Sequence, residues 1–591
     1  MGKSRLFQNS TGMFLSETDR WDRLGLAIGP DLYHEVKSKG QRVGPVVEKR
    51  LSPQGQFGSL KGTPGVLRFS PGMPPEPKQK TTPGIRDKQI GFYLFLLALA
   101  IRVIFLFITP NNGVDAMARY SHAMDWLNDP TSLPSATADF AWLPLHFWLL
   151  GGAIWVWHSE WSARILTALL GALTIPFYWG MMKRAFGDQI ALASSIAFAI
   201  FGFHIGYSVT TSSEVPTIFF LSVGLYAWAR YDLEPKWVWA VLSSGSFGAA
   251  CLTRFEPWLV VPVLGFMLLV PSDGSNWRWP NGSALWKAAC FAIPASAAMI
   301  GWLLFSWMKW GDPLMLPHRT IVENISDLAI YRLPLPILLI LVPVQLLTSL
   351  SPLLACLALA GLVIVFQKRS QLSKSIALLF LTMCLFNFYY ALRLGGIQPK
   401  YTLIYSWLAF PFAFVALPWA EAQFRFLARQ TAPWLVLLSM VLWQAVVVLT
   451  NTSSSAMVAD SMIWISPTLP LRREMRELEA WLKLHHSSSD AVLIDEDKNE
   501  SDFIVRFPEI GPAMAFTVAP EGDRDPQLVD HLKYFVRQRR PSLLICSVYG
   551  PLGRRLSSQS DVDREISTLN LRLHKEWQGE RWTVFSIDQL R

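Results

Sequence analysis

The sequence predicts a multi-pass α-helical membrane protein of about 11–13 embedded helices, followed by a small C-terminal α/β soluble domain. Three observations carry this. Of the 591 residues, 51% are hydrophobic and only 16% are charged. Between Gly91 and Thr450 the apolar residues fall in nearly uncharged blocks divided by short polar hinges. A helix rises about 1.5 Å per residue, so roughly 20 apolar residues cross a hydrocarbon core of ~30 Å. After residue 455 the blocks stop, and short helical and strand-like patterns alternate.

The chain divides at 88 and 455. Residues 1–88 are expected to be a disordered basic region on the cytoplasmic side: 1–90 hold fifteen Lys and Arg against eight Asp and Glu. The Pro71–Pro77 run cannot continue a helix, although a short helix near 17–38 is allowed. The basic residues are scattered and match no nucleic-acid motif, so retention of the N-terminus inside explains them better. The first apolar block begins near residue 90, and no secretory signal peptide is expected.

Thirteen blocks follow, at 91–109, 141–157, 163–182, 188–207, 214–231, 237–253, 257–271, 287–307, 333–348, 350–366, 375–391, 402–420 and 432–450. Pro334, Pro336, Pro343 and Pro352 leave 333–366 open between two spans and one span with a re-entrant piece. The positive-inside rule puts Lys183-Arg184, Arg230 with Lys236, Arg278 with Lys287, Lys368-Arg369, and Arg425 with Arg429 in the cytoplasm. The loops at 110–140, 208–214, 253–257, 308–332 and 392–401 then face outward, as does the C-terminal domain. One parity conflicts. If 141–157 crosses, Lys183-Arg184 falls on the wrong side.

In the C-terminal domain a helix is expected over Leu471–His485, with Met475, Leu478, Trp481 and Leu482 on its apolar face. Another helix is expected over Pro526–Arg539, and strands over Ala491–Asp495 and Ser542–Val548. Neither GxGxxG nor a P-loop is present, so nothing indicates a nucleotide site. Cys251, Cys290, Cys356, Cys384 and Cys546 show neither metal-site spacing nor a disulfide framework.

Ionisable groups bordering membrane blocks default to functional candidates, and five clusters stand at the outward hinges. Asp115, Arg119 and His122 are spaced to share one helix face; the plain alternative is a solvated helix with an i,i+4 ion pair. Glu214 follows Thr210-Thr-Ser-Ser213 and precedes Pro216, a pattern that helix capping also explains. Arg254 and Glu256 lie in a hairpin, where they read equally well as an ion pair ending two helices or as a phosphate grip. Asp312 belongs to a Gly-Asp-Pro turn with His318 and Arg319 beyond it. Arg393, Lys400 and Tyr401 place cations beside aromatics, which interfacial anchoring also produces.

Taken in order, these hinges resemble those of the GT-C superfamily of polytopic glycosyltransferases, and most of all its protein-mannosyltransferase and aminoarabinose-transferase-like branch (glycosyltransferase family 39-like). The resemblance covers about 90–455. It rests on Asp115 in the first outward loop, Trp142-Leu-Pro-Leu-His146, Ser162-Ala-Arg164 through Gly171, Glu214, Thr253-Arg-Phe-Glu-Pro-Trp258, Gly311-Asp-Pro-Leu314, and Pro399-Lys-Tyr401. Ala116 stands where many relatives carry a second acid, and Leu143-Pro144 where others show Pro-Pro. The resemblance implies transfer of a sugar from a polyprenyl-phosphate donor to an acceptor hydroxyl on the outer face of an inner (plasma) membrane. Asp115 would be the general base. Arg254, Lys400, Arg119 and Arg393 would bind the donor phosphate, and Glu214, Glu256, His146, Asp312 and Tyr401 would contact substrates. No cofactor is required and no metal ligands are assigned, though some relatives use a divalent cation. Expected partners are the lipid-linked donor, membrane lipids and an acceptor of protein, lipid or glycan nature. The alternatives are a transporter or flippase, which would carry charge near the midplane and show repeats, and a scaffold presenting the C-terminal domain.

Overall fold

The computed structural model describes residues 85–108, 114–128, 142–270, 281–315, 335–368, 370–394, 400–423 and 431–450 of the membrane part, together with 540–547, parts of 477–485 and six strands near the C-terminus. The expected features of 1–84 and the helix at 526–539 lie outside these residues.

The described helices are α1 (Ile85–Ile108), α2 (Val114–Asn128), α3 (Leu145–Val156), α4 (Glu160–Phe186), α5 (Asp188–Ala199), α6 (Gly202–Ser208), α7 (Glu214–Leu233), α8 (Trp237–Cys251), α9 (Pro257–Met267), α10 (Gly282–Trp310), α11 (Leu335–Leu350), α12 (Pro352–Lys368), α13 (Gln371–Leu394), α14 (Lys400–Ser406), α15 (Phe410–Gln423) and α16 (Ala432–Thr450). Every apolar block falls on a helix, but not every helix crosses. Among the described residues, five are long and apolar enough to span, and the bent pair α5–α6 makes a sixth. Others, α3 and α9 among them, are shorter. The expected multi-pass helical architecture holds, with five to six candidate spans by length and composition among the described residues and several blocks that form shorter apolar helices. The proline-rich stretch resolves as two helices, α11 and α12, divided at Ser351.

Local sequence sets the ends. Ser159 caps α4 by accepting the Trp161 N–H at 3.2 Å, with Glu160 in the first turn and Lys183 and Arg184 in the last, as the helix dipole favours. Asn281 caps α10 through the Ala284 N–H at 2.9 Å, and Gly311 ends it at φ +73°, a left-handed conformation that suits glycine. Packing between α12 and α15 needs a residue without a side chain, because a Cβ on Gly361 would run into the Phe412 carbonyl. On the outside, large apolar side chains stand bare, including Phe107 at 75% and Ile293 at 70% exposure. Such surfaces are stable against acyl chains and unfavourable against water.

The parity conflict disappears in three dimensions. Lys183 at the end of α4 meets Asp87 at the start of α1 at 2.6 Å, while Arg164 near the start of α4 donates to the Leu106 carbonyl at the end of α1 at 3.1 Å. The two helices are antiparallel, so the α3 block between them makes no crossing; its 12 residues rise only about 18 Å. The same end of the bundle gathers Arg184 over the Tyr226 ring at 4.8 Å and Lys287 on Asp232 at 2.6 Å. Ser373, at the start of α13, donates there to the Ala185 carbonyl. The basic hinges at 183–184, 230 and 287 thus share one end.

The C-terminal part contains a six-stranded sheet, β1 (Val492–Glu496), β2 (Met514–Thr517), β3 (Leu543–Ser547), β4 (Asp563–Ile566), β5 (Leu571–Gln578) and β6 (Trp582–Gln589), in the order β2-β1-β3-β6-β5-β4. β1 pairs in parallel with β2 and β3; β3, β6, β5 and β4 pair antiparallel. β1 and β3 are the two expected strands. Leu478 and Leu482 of the expected helix are buried against Val492, Ile545 and Trp582. The other strands were not anticipated. β5 and β6 do alternate in polarity, but their charged residues hide the pattern.

Two outcomes are expected. In a background lacking the native cysteines, a cysteine at position 189 should label from the same membrane side as one at 88, and one at 158 from the opposite side. Gly361→Val should lower the thermal midpoint of the detergent-solubilised protein by several degrees, as overpacking of about 1–3 kcal/mol does.

Candidate active site

At the opposite end of the bundle the outward hinges meet. The α7 start, the α8–α9 hairpin and the α14 start converge on one guanidinium. Arg254 donates from Nη1 to Glu214 at 2.6 Å and from Nη2 and Nε to Glu256 at 2.7 and 3.0 Å. Its Nη1 also donates to the Ser213 hydroxyl at 3.2 Å, and the Tyr401 ring lies 5.4 Å from Cζ. All three charged groups are buried. Burial opposes the charge on Arg254, but Glu256 and then Glu214 favour it and hold the guanidinium well above its ordinary pKa. Arg254 is therefore charged at every working pH. Counted by formal charge, the trio sums to −1.

The capping reading of Ser213 does not hold: its side chain makes no cap bond, and its hydroxyl serves Arg254 instead. Thr217 ties the segment to Thr253 through a 3.0 Å hydroxyl contact. The ion-pair reading of Arg254 and Glu256 is the one observed, with Glu214 as an additional partner from another helix.

A second group sits beside it. His146 Nε2 lies 3.0 Å from the Thr211 carbonyl, and the Thr211 hydroxyl donates to the Ala116 carbonyl in the first turn of α2. Leu145 N–H donates to the Leu252 carbonyl at 3.0 Å, binding the start of α3 to the Arg254 hairpin. Arg119 is buried, with its Cζ 4.2 Å from the centroid of the Trp142 ring. Trp302, Phe305, Trp310 and Met315 pack with Leu143, Leu252 and Phe255 into an aromatic wall. All five hinges expected to face outward thus contribute to one end of the molecule.

The expected site residues divide accordingly. Arg254, Glu214, Glu256 and Tyr401 form one cluster, and His146 and Arg119 stand next to it. Asp312 accepts the Leu314 N–H at 2.8 Å, fulfilling its turn reading. Asp115, Arg393 and Lys400 lie on described backbone, in α2, α13 and α14, but their side chains are outside the described ones. Asp115 immediately precedes the Ala116 that Thr211 grips, and Lys400 immediately precedes Tyr401. Among the described residues no group of three or more His, Cys, Asp or Glu could hold a metal ion. Glu214 and Glu256 do not fit one between them, because a guanidinium already occupies that place.

Three buried polar contacts were not anticipated. Arg102, in the middle of α1, donates to the Ser208 hydroxyl at 3.2 Å and lies 2.7 Å from His204 Nδ1, joining α1 to the bent α5–α6 pair. Arg164 Nε donates to the Val209 carbonyl at 2.8 Å. With Thr211 and Ser213, these bonds tether the 204–214 stretch at His204, Ser208, Val209, Thr211 and Ser213. A lone arginine inside an apolar block was the available signal for Arg102.

Residues 141–304 match the family model for dolichyl-phosphate-mannose-protein mannosyltransferase. The chain is similar in structure to ArnT from Cupriavidus metallidurans bound to undecaprenyl phosphate, with a TM-score of 0.53 and 14% identity over 84% of this chain and 97% of that one. The Archaeoglobus fulgidus oligosaccharyltransferase aligns with a TM-score of 0.46 and 11% identity over 78% and 69%. The Saccharomyces cerevisiae Pmt1–Pmt2 complex aligns with a TM-score of 0.32 and 17% identity over 39% and 35%. No curated protein matches the chain. At 14% identity the likeness to ArnT is one of fold, and the fold is the GT-C-like membrane architecture that the hinge motifs resemble, with a C-terminal strand region.

Arg254→Met should destabilise the protein by about 3–5 kcal/mol, the cost of leaving buried carboxylates without their cation. The companion triple variant with Glu214→Gln and Glu256→Gln should recover most of that loss in thermal unfolding.

Proposed function

We propose that the chain is a membrane glycosyltransferase that moves a sugar from a polyprenyl-phosphate donor to an acceptor hydroxyl on the extracytoplasmic face. The observation that carries this reading is the meeting of three of the hinges at Glu214, Arg254, Glu256 and Tyr401, with the described parts of the other two packed nearby. The family match over 141–304 and the ArnT-like fold support it. The side follows from charge: Arg184, Arg230 and Lys287 gather at the other end, which the positive-inside rule makes cytoplasmic. The membrane is then an inner or plasma membrane.

In this reading the acceptor oxygen attacks the anomeric carbon while Asp115 takes its proton. The bond to the phosphate oxygen breaks, and the lipid phosphate leaves with the electron pair. Developing negative charge on the phosphate needs cations nearby. Arg254 is shared by two carboxylates, so its trio is net negative and it acts chiefly by organising Glu214 and Glu256 toward the sugar or acceptor. Lys400, Arg393 and Arg119 then supply most of the charge that receives the phosphate, and Tyr401, next to Lys400 in sequence, faces Arg254. Exposed apolar helix surfaces suit the polyprenyl tail. No step is routed through a metal ion.

The test is transfer by purified protein from undecaprenyl-phosphate sugars, following lipid-phosphate release. Asp115→Asn should reduce it about 10²–10⁴-fold, the span of general-base catalysis, with membrane level and thermal midpoint unchanged. Full activity in that variant would remove Asp115 from the mechanism.

A further inference from the structure

His146 has one ring nitrogen with an assigned partner and one without. The imidazole is fully buried in the first turn of α3. Its Nε2 faces the Thr211 carbonyl at 3.0 Å. A carbonyl oxygen only accepts, so Nε2 carries the proton, and a neutral ring then presents a lone pair at Nδ1. That Nδ1 is buried and has no hydrogen-bond partner among the described residues. Most buried acceptors are satisfied, and one beside a candidate site calls for a physical account, of which a ligand donor is one.

The surroundings narrow the kind of donor. Arg119, the nearest charge from α2, stacks on Trp142, and the rings of His122 and Trp142 lie 6.0 Å apart, with Phe147 about as far from each. Arg254 is the next cation, from the α8–α9 hairpin. Burial of the ring, and after it the charges of Arg119 and Arg254, disfavour a second proton on it. An ionised phosphate or carboxylate cannot serve Nδ1, since it too only accepts. A hydroxyl can. Thr211 ties the ring to the first turn of α2, where Asp115 resides, so the lone pair stands close to where the reaction is proposed to occur.

We propose that His146 Nδ1 accepts a hydrogen bond from a hydroxyl of the sugar carried by the lipid-linked donor, making His146 a sugar-specificity residue. Full burial inside the bundle end favours the donor sugar over an acceptor arriving from the aqueous side. The inference rests on the glycosyl-transfer reading given above.

Two substitutions separate the ring's nitrogens. His146→Gln keeps an amide N–H for the Thr211 carbonyl and loses the acceptor at Nδ1; His146→Asn keeps an acceptor there and gives up the Thr211 bond. Binding of undecaprenyl phosphate, and of undecaprenyl phosphate carrying mannose or glucose, is measured on the full-length protein in nanodiscs. His146→Gln should bind the sugar-free lipid as wild type does and its preferred glycosylated lipid roughly tenfold more weakly, the scale of one lost hydrogen bond. His146→Asn should retain more of the sugar-dependent affinity than His146→Gln. Equal loss for both lipids, or no loss for either, overturns the role of His146 and leaves the transferase reading standing. A wild-type protein that binds the lipids but ignores the sugar also overturns it. A wild-type protein that binds none of them overturns the transferase reading itself, and this inference with it.

Discussion

One buried arginine shared by two glutamates organises the end of the bundle where the polar hinges meet. A guanidinium and two carboxylates, each withdrawn from water, are tolerable together and costly apart. Arg254 comes from the α8–α9 hairpin, Glu214 from the first turn of α7, and Glu256 from the start of α9. Satisfying all three fixes the relative height of those elements, and Tyr401 brings α14 to the same place.

Around this knot the polar interior is held by backbone carbonyls and hydroxyls more than by ion pairs. Arg164 and Arg102 reach from neighbouring helices to the 204–209 stretch, and Thr211 and Ser213 continue the tether to α2, α3 and the hairpin. The 53° bend between α5 and α6 makes this geometry available, because it turns the second piece across the bundle. In an apolar medium each unmet polar group is expensive, so such a run of contacts acts as a rigid rail.

Much of the fold was legible in order along the chain. Every apolar block became a helix, since length and hydrophobicity decide embedding residue by residue. Spanning was less legible: α3 has the composition of a span but only 12 residues, and its failure to cross shows in the Lys183–Asp87 and Arg164–Leu106 contacts at opposite ends of α1. Glu214, Arg254 and Glu256 were visible as costly charges at hinges. Their partnership was not, because Glu214 and Arg254 are forty residues apart and each had an adequate local explanation. Arg102 and His204 escaped notice for the converse reason, being single polar residues within otherwise apolar stretches.

The sequence by itself determined that this is a membrane-embedded helical protein with charged hinges and a separate strand-bearing C-terminal region, because hydropathy and local capping act over one helix at a time. Only the tertiary structure decided which blocks cross, which end the hinges share, and which charges neutralise one another. Those outcomes depend on distances between elements far apart in the chain, and burial there turns an ordinary ion pair into the constraint that positions the rest.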